Sequence, residues 1–206
     1  MFRYLLVLIV LFSISGCARH LRHRRHFRYI GKFRLHVYWL AHERWYRGRR
    51  NVPLYKRKRR IAWVSRRFAK AIQMQGSGRL RDGRIVQYRG RCRYRRRFCL
   101  RIRLINRHHY PMGVGAAGIA LKSFRSLATD RRYFAFRTRV YIPSLGRLLR
   151  KRGKRHNGCF VVHDRGGGIR GAKLDLFVGS RRNFRRYLKR RIPRYVRVYR
   201  GCSIKH

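Results

Sequence analysis

The spacing of apolar positions changes along the chain, and those changes predict most of its elements. Residues Tyr4 to Ile14 form an apolar run behind Arg3 that closes on Ser15-Gly16-Cys17. The run is too short to span a bilayer as a helix and reads as a removable export leader over residues 1–16. From Ala18 to Tyr29, ARHLRHRRHFRY has no apolar period, so residues 17–30 are expected to form a basic tether. Phe33, Leu35 and Val37 then alternate with polar residues and predict a strand, while the polar stretch Gly48 to Arg60, containing Pro53, reads as a surface loop. In RRIAWVSRRFAKAIQMQG, Ile61, Val64, Phe68 and Ile72 recur at helical spacing and Gly76 sits where a helix would stop. An N-terminal amphipathic helix packed by its apolar stripe is expected there.

Downstream the pattern changes. RIVQY, CLRIRL, TRVYI, CFVVHD, KLDLFVG and YVRVYR are short, rich in β-branched and aromatic residues, and separated by glycine-containing turns. The fold class is therefore mainly β with few helices, a small barrel or sandwich. Between the last two segments Ser180 is placed to cap a short helix turning Phe184, Tyr187 and Leu188 to the core. Residues 31–206 are long enough for a single domain.

An exported chain changes the meaning of its cysteines. With Cys17 set aside, Cys92, Cys99, Cys159 and Cys202 form an even set for an oxidising compartment, with three possible connectivities. Sequence does not choose among them, although RYRRRF suits a hairpin loop, favouring Cys92 with Cys99 and leaving Cys159 for Cys202. Spacings typical of zinc ligands are missing. The net charge of +53 would ordinarily point to nucleic acid, but an export signal argues against that partner. Anionic wall polymers, lipopolysaccharide or acidic lipid head groups are the polyanions such a chain would meet.

Against 58 lysines and arginines the chain carries only five acids, Glu43, Asp82, Asp130, Asp164 and Asp175. Asp164 ends an apolar strand and is followed by RGGGIRG, where Gly166, Gly167 and Gly168 permit a close approach of backbone to a ligand. Asp175 follows inside LDLFVG. Two strands joined by so short a link bring the two carboxyls together, and like charge with partial burial raises one pKa, which makes a general acid. Glycoside cleavage needs such a group. Alternation points His163 away from Asp164, so His163 is expected at the surface, and His108 and His109 in a loop. Arg165, beside Asp164, would favour its ionised form.

Two resemblances follow. Ile14-Ser15-Gly16-Cys17 resembles the bacterial lipoprotein signal, which implies lipidation at Cys17 and an outer-membrane lipoprotein facing the periplasm; an ordinary secretory leader is the alternative. SLATDRRYFAFRTRVYIPSLG followed by NGCFVVHDRGGGIRGAKLDLFVGS resembles the three-aspartate (3D) domain, shared with membrane-bound lytic murein transglycosylase A and related wall-active proteins. The resemblance implies a six-stranded double-psi β-barrel at about residues 113–200, with Asp130, Asp164 and Asp175 on one face. It further implies lytic cleavage of peptidoglycan glycan strands, with Asp175 as acid and then base, Asp164 as its polarising neighbour, Asp130 in support and no cofactor. The transglycosylases have a second domain that completes the glycan groove, for which this chain looks too short. A non-catalytic envelope protein that holds anionic wall glycan is the alternative function.

Overall fold

The computed structural model describes residues 27–94, 97–150 and 156–202. The expected leader and Cys17 lie outside the described residues. In chain order the elements are β1 (Arg28–Tyr38), β2 (Ala41–His42), β3 (Arg50–Lys56), β4 (Arg59–Ser65), α1 (Arg66–Gln75), β5 (Ser77–Arg79), β6 (Ile85–Tyr94) and β7 (Arg97–Ile105). They continue with β8 (Ser126–Thr129), β9 (Arg139–Tyr141), α2 (Pro143–Arg150), β10 (Cys159–Asp164), β11 (Lys173–Phe177), α3 (Arg181–Tyr187) and β12 (Tyr195–Arg200). A short 3-10 turn, Glu43–Trp45, follows β2.

Six strands close into a barrel in the order β1-β11-β8-β10-β9-β12. Its interior follows from the period of two: Phe33 and Leu35, Leu174 and Leu176, Phe160 and Val162, and Val196 and Val198 are all buried in one cluster. α2 covers one end with Leu145 and Leu149, and Leu188, just after α3, joins the same cluster. Ser180 caps α3, its hydroxyl accepting from Asn183 N–H at 3.1 Å.

The barrel is not confined to residues 113–200. β1 completes it, pairing in parallel with β11 and antiparallel with β12, so the tether expected to reach residue 30 gives way to strand at Arg28. The outer positions Arg28 and Tyr29 pair with Arg200 and Tyr199 through backbone groups, which need no apolar period.

The segments RIVQY and CLRIRL belong to a second six-stranded sheet, ordered β2-β5-β6-β7-β3-β4 and folded from the chain between β1 and β8. Val52, Leu54, Phe68, Ile72, Leu100 and Ile102 are buried in its own core, with α1 packed upon it. The chain therefore holds a second lobe despite its length. Two expectations change here. The stretch expected as a surface loop contains β3, whose Val52 and Leu54 are buried. Pro53 is tolerated because β3 pairs with β7 only through Leu54 and Tyr55. The expected helix starts later: Ile61 and Val64 lie in β4, and α1 begins only where Ser65 caps it, its hydroxyl accepting from Phe68 N–H at 3.2 Å. Gly76 closes the helix at φ +77°.

Cys92 and Cys99, register partners across β6 and β7, are joined as a disulfide, and Cys159 at the start of β10 is joined to Cys202 beyond β12.

Candidate active site

The barrel's outer face on β1, β11, β8 and β10 carries what its inner face does not. In β1, Arg34, His36 and Tyr38 alternate with the core residues; in β11, Lys173, Asp175 and Phe177 do the same. His36 is the register partner of Asp175, Asp175 that of Ala128, and Ala128 that of Asp164. His36, Asp175, Ala128 and Asp164 thus form one row across four strands. The two aspartates stand two strand spacings apart, roughly 10 Å between α-carbons, with the alanine methyl as the low floor between them.

Asp164 reaches this face through an irregularity. The register of β10 shifts between Val162 and Asp164, so alternation fails there. His163, expected at the surface, is buried instead, with its Nδ1 2.9 Å from the Ser126 hydroxyl. Burial, with Lys122 nearby, lowers its pKa. His108 and His109 lie in an exposed turn after β7.

The two carboxyls differ in what they receive. Asp164 accepts from the backbone N–H groups of Ala116 and Arg165, both at 2.8 Å on Oδ1, and from the Tyr38 hydroxyl at 3.1 Å on Oδ2. Burial raises its pKa, against the pull of those donors. Asp175 accepts no hydrogen bond among the described residues; burial raises its pKa, the His36 charge opposes this, and the Asp164 charge adds to it. Three donors favour the ionised form of Asp164, whereas no donor among the described residues does so for Asp175.

Ala116 reaches Asp164 because Gly115 lies against the carbonyl of His163 with no room for a side chain. Ala117 N–H donates to that same carbonyl at 3.1 Å and fixes the loop.

Asp130 lines the same groove in a different role. The Arg132 guanidinium grips it at 2.7 Å, and the backbone N–H groups of Arg132 and Gly171 donate at 3.0 and 2.9 Å. These bonds hold its carboxyl well below the usual range, so Asp130 stays ionised and ties down the end of the glycine-rich loop. Gly166, Gly167 and Gly168 line the groove beside it. Gly171, at φ +69°, is the glycine there whose backbone is left-handed.

The facing wall comes from the second lobe. The end of α1 and strands β5 and β6 contribute Gln73, Met74, Gln75, Gly76, Ser77, Gln87, Tyr88 and Arg89 to a groove of about 1040 Å³ that contains all three aspartates. Residues 73–88 of this wall are QMQGSGRLRDGRIVQY, a segment that resembles the lead-in found in exported members of the 3D group, although the sequence reading gave none of its side chains a role. Tyr38 and His36 were also missed, since they occupy the polar face of a strand recognised by its apolar one. Among the described residues no group of three His, Cys, Asp or Glu side chains is arranged to hold a metal ion.

Comparison with known proteins agrees with this architecture. Residues 125–192 match the family described as the 3D domain. The fold is similar to that of a membrane-bound lytic murein transglycosylase from Agrobacterium tumefaciens, at 14% identity and a TM-score of 0.57 over 81% of this chain and 73% of that one. It is also similar to Escherichia coli MltA solved with bound chitohexaose, at 16% identity and a TM-score of 0.54 over 82% of this chain and 71% of that one. No curated protein matches the chain by sequence at a significant level.

Proposed function

We propose that this chain, with a 3D domain over residues 125–192, is a peptidoglycan-active enzyme that cuts the MurNAc–GlcNAc bond by a lytic transglycosylase reaction. The observation that carries the reading is the asymmetry within the row His36, Asp175, Ala128 and Asp164: two carboxyls share one groove floor, and three donors serve Asp164 while none among the described residues serves Asp175. The closed six-stranded barrel with parallel β1–β11 and β10–β8 pairs supports a double-psi winding. The MltA fold solved with chitohexaose supports a glycan strand as occupant of the groove.

In this mechanism Asp175 gives its proton to the glycosidic oxygen as the bond from that oxygen to the anomeric carbon breaks. Ionised Asp164 stabilises the oxocarbenium-like centre. The Asp175 carboxylate then takes the proton of the muramyl 6-hydroxyl as that oxygen closes on the anomeric carbon, which yields a 1,6-anhydro sugar and restores the acid. A single acid and base suffices because the incoming hydroxyl belongs to the sugar itself. Asp130 positions the loop that carries Gly166 to Gly168. Export and lipidation at Cys17 would place this chemistry at the periplasmic face of the outer membrane, with the basic surface turned to anionic envelope polymers.

The test is Asp175→Asn, an exchange of nearly equal shape. It is expected to abolish both the turbidity loss of purified sacculi and the release of anhydro-muropeptides seen by mass spectrometry, with an unchanged circular dichroism spectrum. Cleavage at the parental rate would refute the assignment. Salt-sensitive binding of sacculi by the parent chain with no anhydro-sugar released would favour the non-catalytic binding reading.

A further inference from the structure

The groove holds a second chemical feature that the cleavage reaction does not use. Arg34 of β1 and Lys173 of β11 are direct register partners. Both line the groove. Each precedes by two residues its neighbour in the row of His36 and Asp175, so the pair of cations sits on the same face one pleat repeat away, roughly 6.6 Å along the strands. Like charges set directly opposite one another in a sheet destabilise it. Facing cations recur in the sheets, at Arg28 and Arg200 and at Lys32 and Arg197, but Arg34 and Lys173 line the groove that holds the aspartates; the ion pairs among the described residues join Arg50 with Glu43, Arg84 with Asp82 and Arg132 with Asp130. Among the described residues neither Arg34 nor Lys173 has a carboxylate within ion-pair distance, and Asp130, which also lines the groove, is occupied by Arg132. Arg131, Arg165 and Arg170 add further positive charge around the same opening.

We infer that the groove selects glycans that carry a carboxylate, and that Arg34 and Lys173 form the subsite which holds it beside the bond to be cut. This rests on the glycan-cleaving reading above and adds to it the substrate's charge. A neutral oligosaccharide offers hydroxyls and acetamides, which cannot offset two facing cations. A carboxylate borne on a sugar substituent accepts from both side chains as a charge-assisted hydrogen-bonded bridge. Its arrival also alters the chemistry one row away. The Lys173 charge pulls the Asp175 carboxyl towards ionisation, and a bound anion screens that pull, so an acidic glycan helps keep the proton on the group that must donate it.

The experiment measures equilibrium binding to the full chain carrying Asp175→Asn, which prevents turnover, with two probes of equal length: chitohexaose and a carboxymethylated chitin hexamer. The carboxylated hexamer is expected to bind at least about tenfold more tightly, as for one charge-assisted hydrogen bond retained. Adding Arg34→Gln and Lys173→Gln should remove that preference, so that the ratio of the two affinities falls to about one. Adding Arg181→Gln and Arg185→Gln instead, which deletes equal charge on α3, should leave the preference intact. Should the double variant at the subsite fail to fold, Arg34→Gln alone, at an exposed position, reads the same preference. Equal affinity for the two probes, a preference that survives Arg34→Gln and Lys173→Gln, or equal loss in the α3 control would each overturn the inference and leave the cleavage reading standing. Failure of both probes to bind would overturn the two together.

Discussion

The Tyr38 hydroxyl donates to Asp164 Oδ2 at 3.1 Å, across a sequence separation of 126 residues. This bond joins the last residue of β1 to the end of β10, and it favours the ionised form of Asp164. Burial, with Asp164 beside it, raises the Tyr38 pKa well above its ordinary value, so the hydroxyl remains a donor throughout the range in which the carboxyls titrate. Cleavage should fall on both sides of a window, in acid as Asp164, whose pKa burial also raises, takes up a proton, and at higher pH as Asp175 gives up its own.

Tyr38→Phe removes one donor from Asp164, raises its pKa, and leaves Asp175 facing less negative charge. The expected result is a roughly tenfold loss of kcat, with the high-pH limb of the activity profile displaced to lower pH. A purely structural role for Tyr38 would lower the rate without moving that limb, so the pH profile separates the two.

Gly115→Ala tests the close approach that delivers Ala116 N–H to Asp164. The added methyl meets the His163 carbonyl and Leu121, and the loop must retreat. A destabilisation of about 2 kcal/mol and a loss of cleavage of at least about tenfold, from the withdrawn donor, are expected. Wild-type melting temperature and rate together would show that the loop does not depend on this contact.

His156 gives a pH-dependent stability of its own. Its Nε2–H donates to the Phe124 carbonyl at 2.7 Å and its Nδ1 accepts from Gly158 N–H at 2.9 Å. That pattern is satisfied by the neutral ring alone, because a proton on Nδ1 would face the Gly158 N–H. Burial and the Arg125 charge lower its pKa to about 4. Since the folded value lies below the unfolded one of about 6.5, the unfolded chain binds the extra proton first. The stabilising contribution is present above pH 6.5 or so and declines as pH falls towards 4, by on the order of 2 kcal/mol. Denaturant titrations across that window should show the decline in the parent and a flatter profile in His156→Gln.

The two disulfides should contribute unequally. The Cys159–Cys202 bond closes 43 positions and Cys92–Cys99 closes 7. On chain entropy, removing the first by Cys→Ala exchange at both ends is expected to cost about 4 kcal/mol and the second about 2. Comparable losses would show that native-state packing, rather than loop length, sets their worth.

Several of these features were open to sequence reading and several were not, and the difference is physical. Strands β9 to β12 were legible because each lies in a short run rich in β-branched and aromatic residues between glycine-containing turns, and the capping serine of α3 because a hydroxyl before a helix satisfies backbone donors locally. β3 was hidden by Pro53, whose missing N–H matters only if a neighbouring strand needs it, and here the pairing with β7 begins one residue later. The start of α1 was misplaced because Ile61 and Val64 fit a helical stripe as well as the strand they occupy. His163 was misjudged because a single register shift in β10 cancels the alternation on which its orientation was argued.

The sequence by itself determined that this chain is mainly β, that its carboxylates are scarce, and that Asp164 and Asp175 sit on strands joined by a short glycine-rich link. Those properties depend on local periodicity and on residue chemistry, which a linear string records. Only the tertiary structure decided that β1 returns to set His36 beside Asp175 and Tyr38 against Asp164, that residues 41–105 build a facing lobe, and that Ala128 separates the two acids. Each of these is a long-range backbone pairing or a packing of one sheet against another, fixed by the closure of the whole barrel rather than by any segment's own pattern.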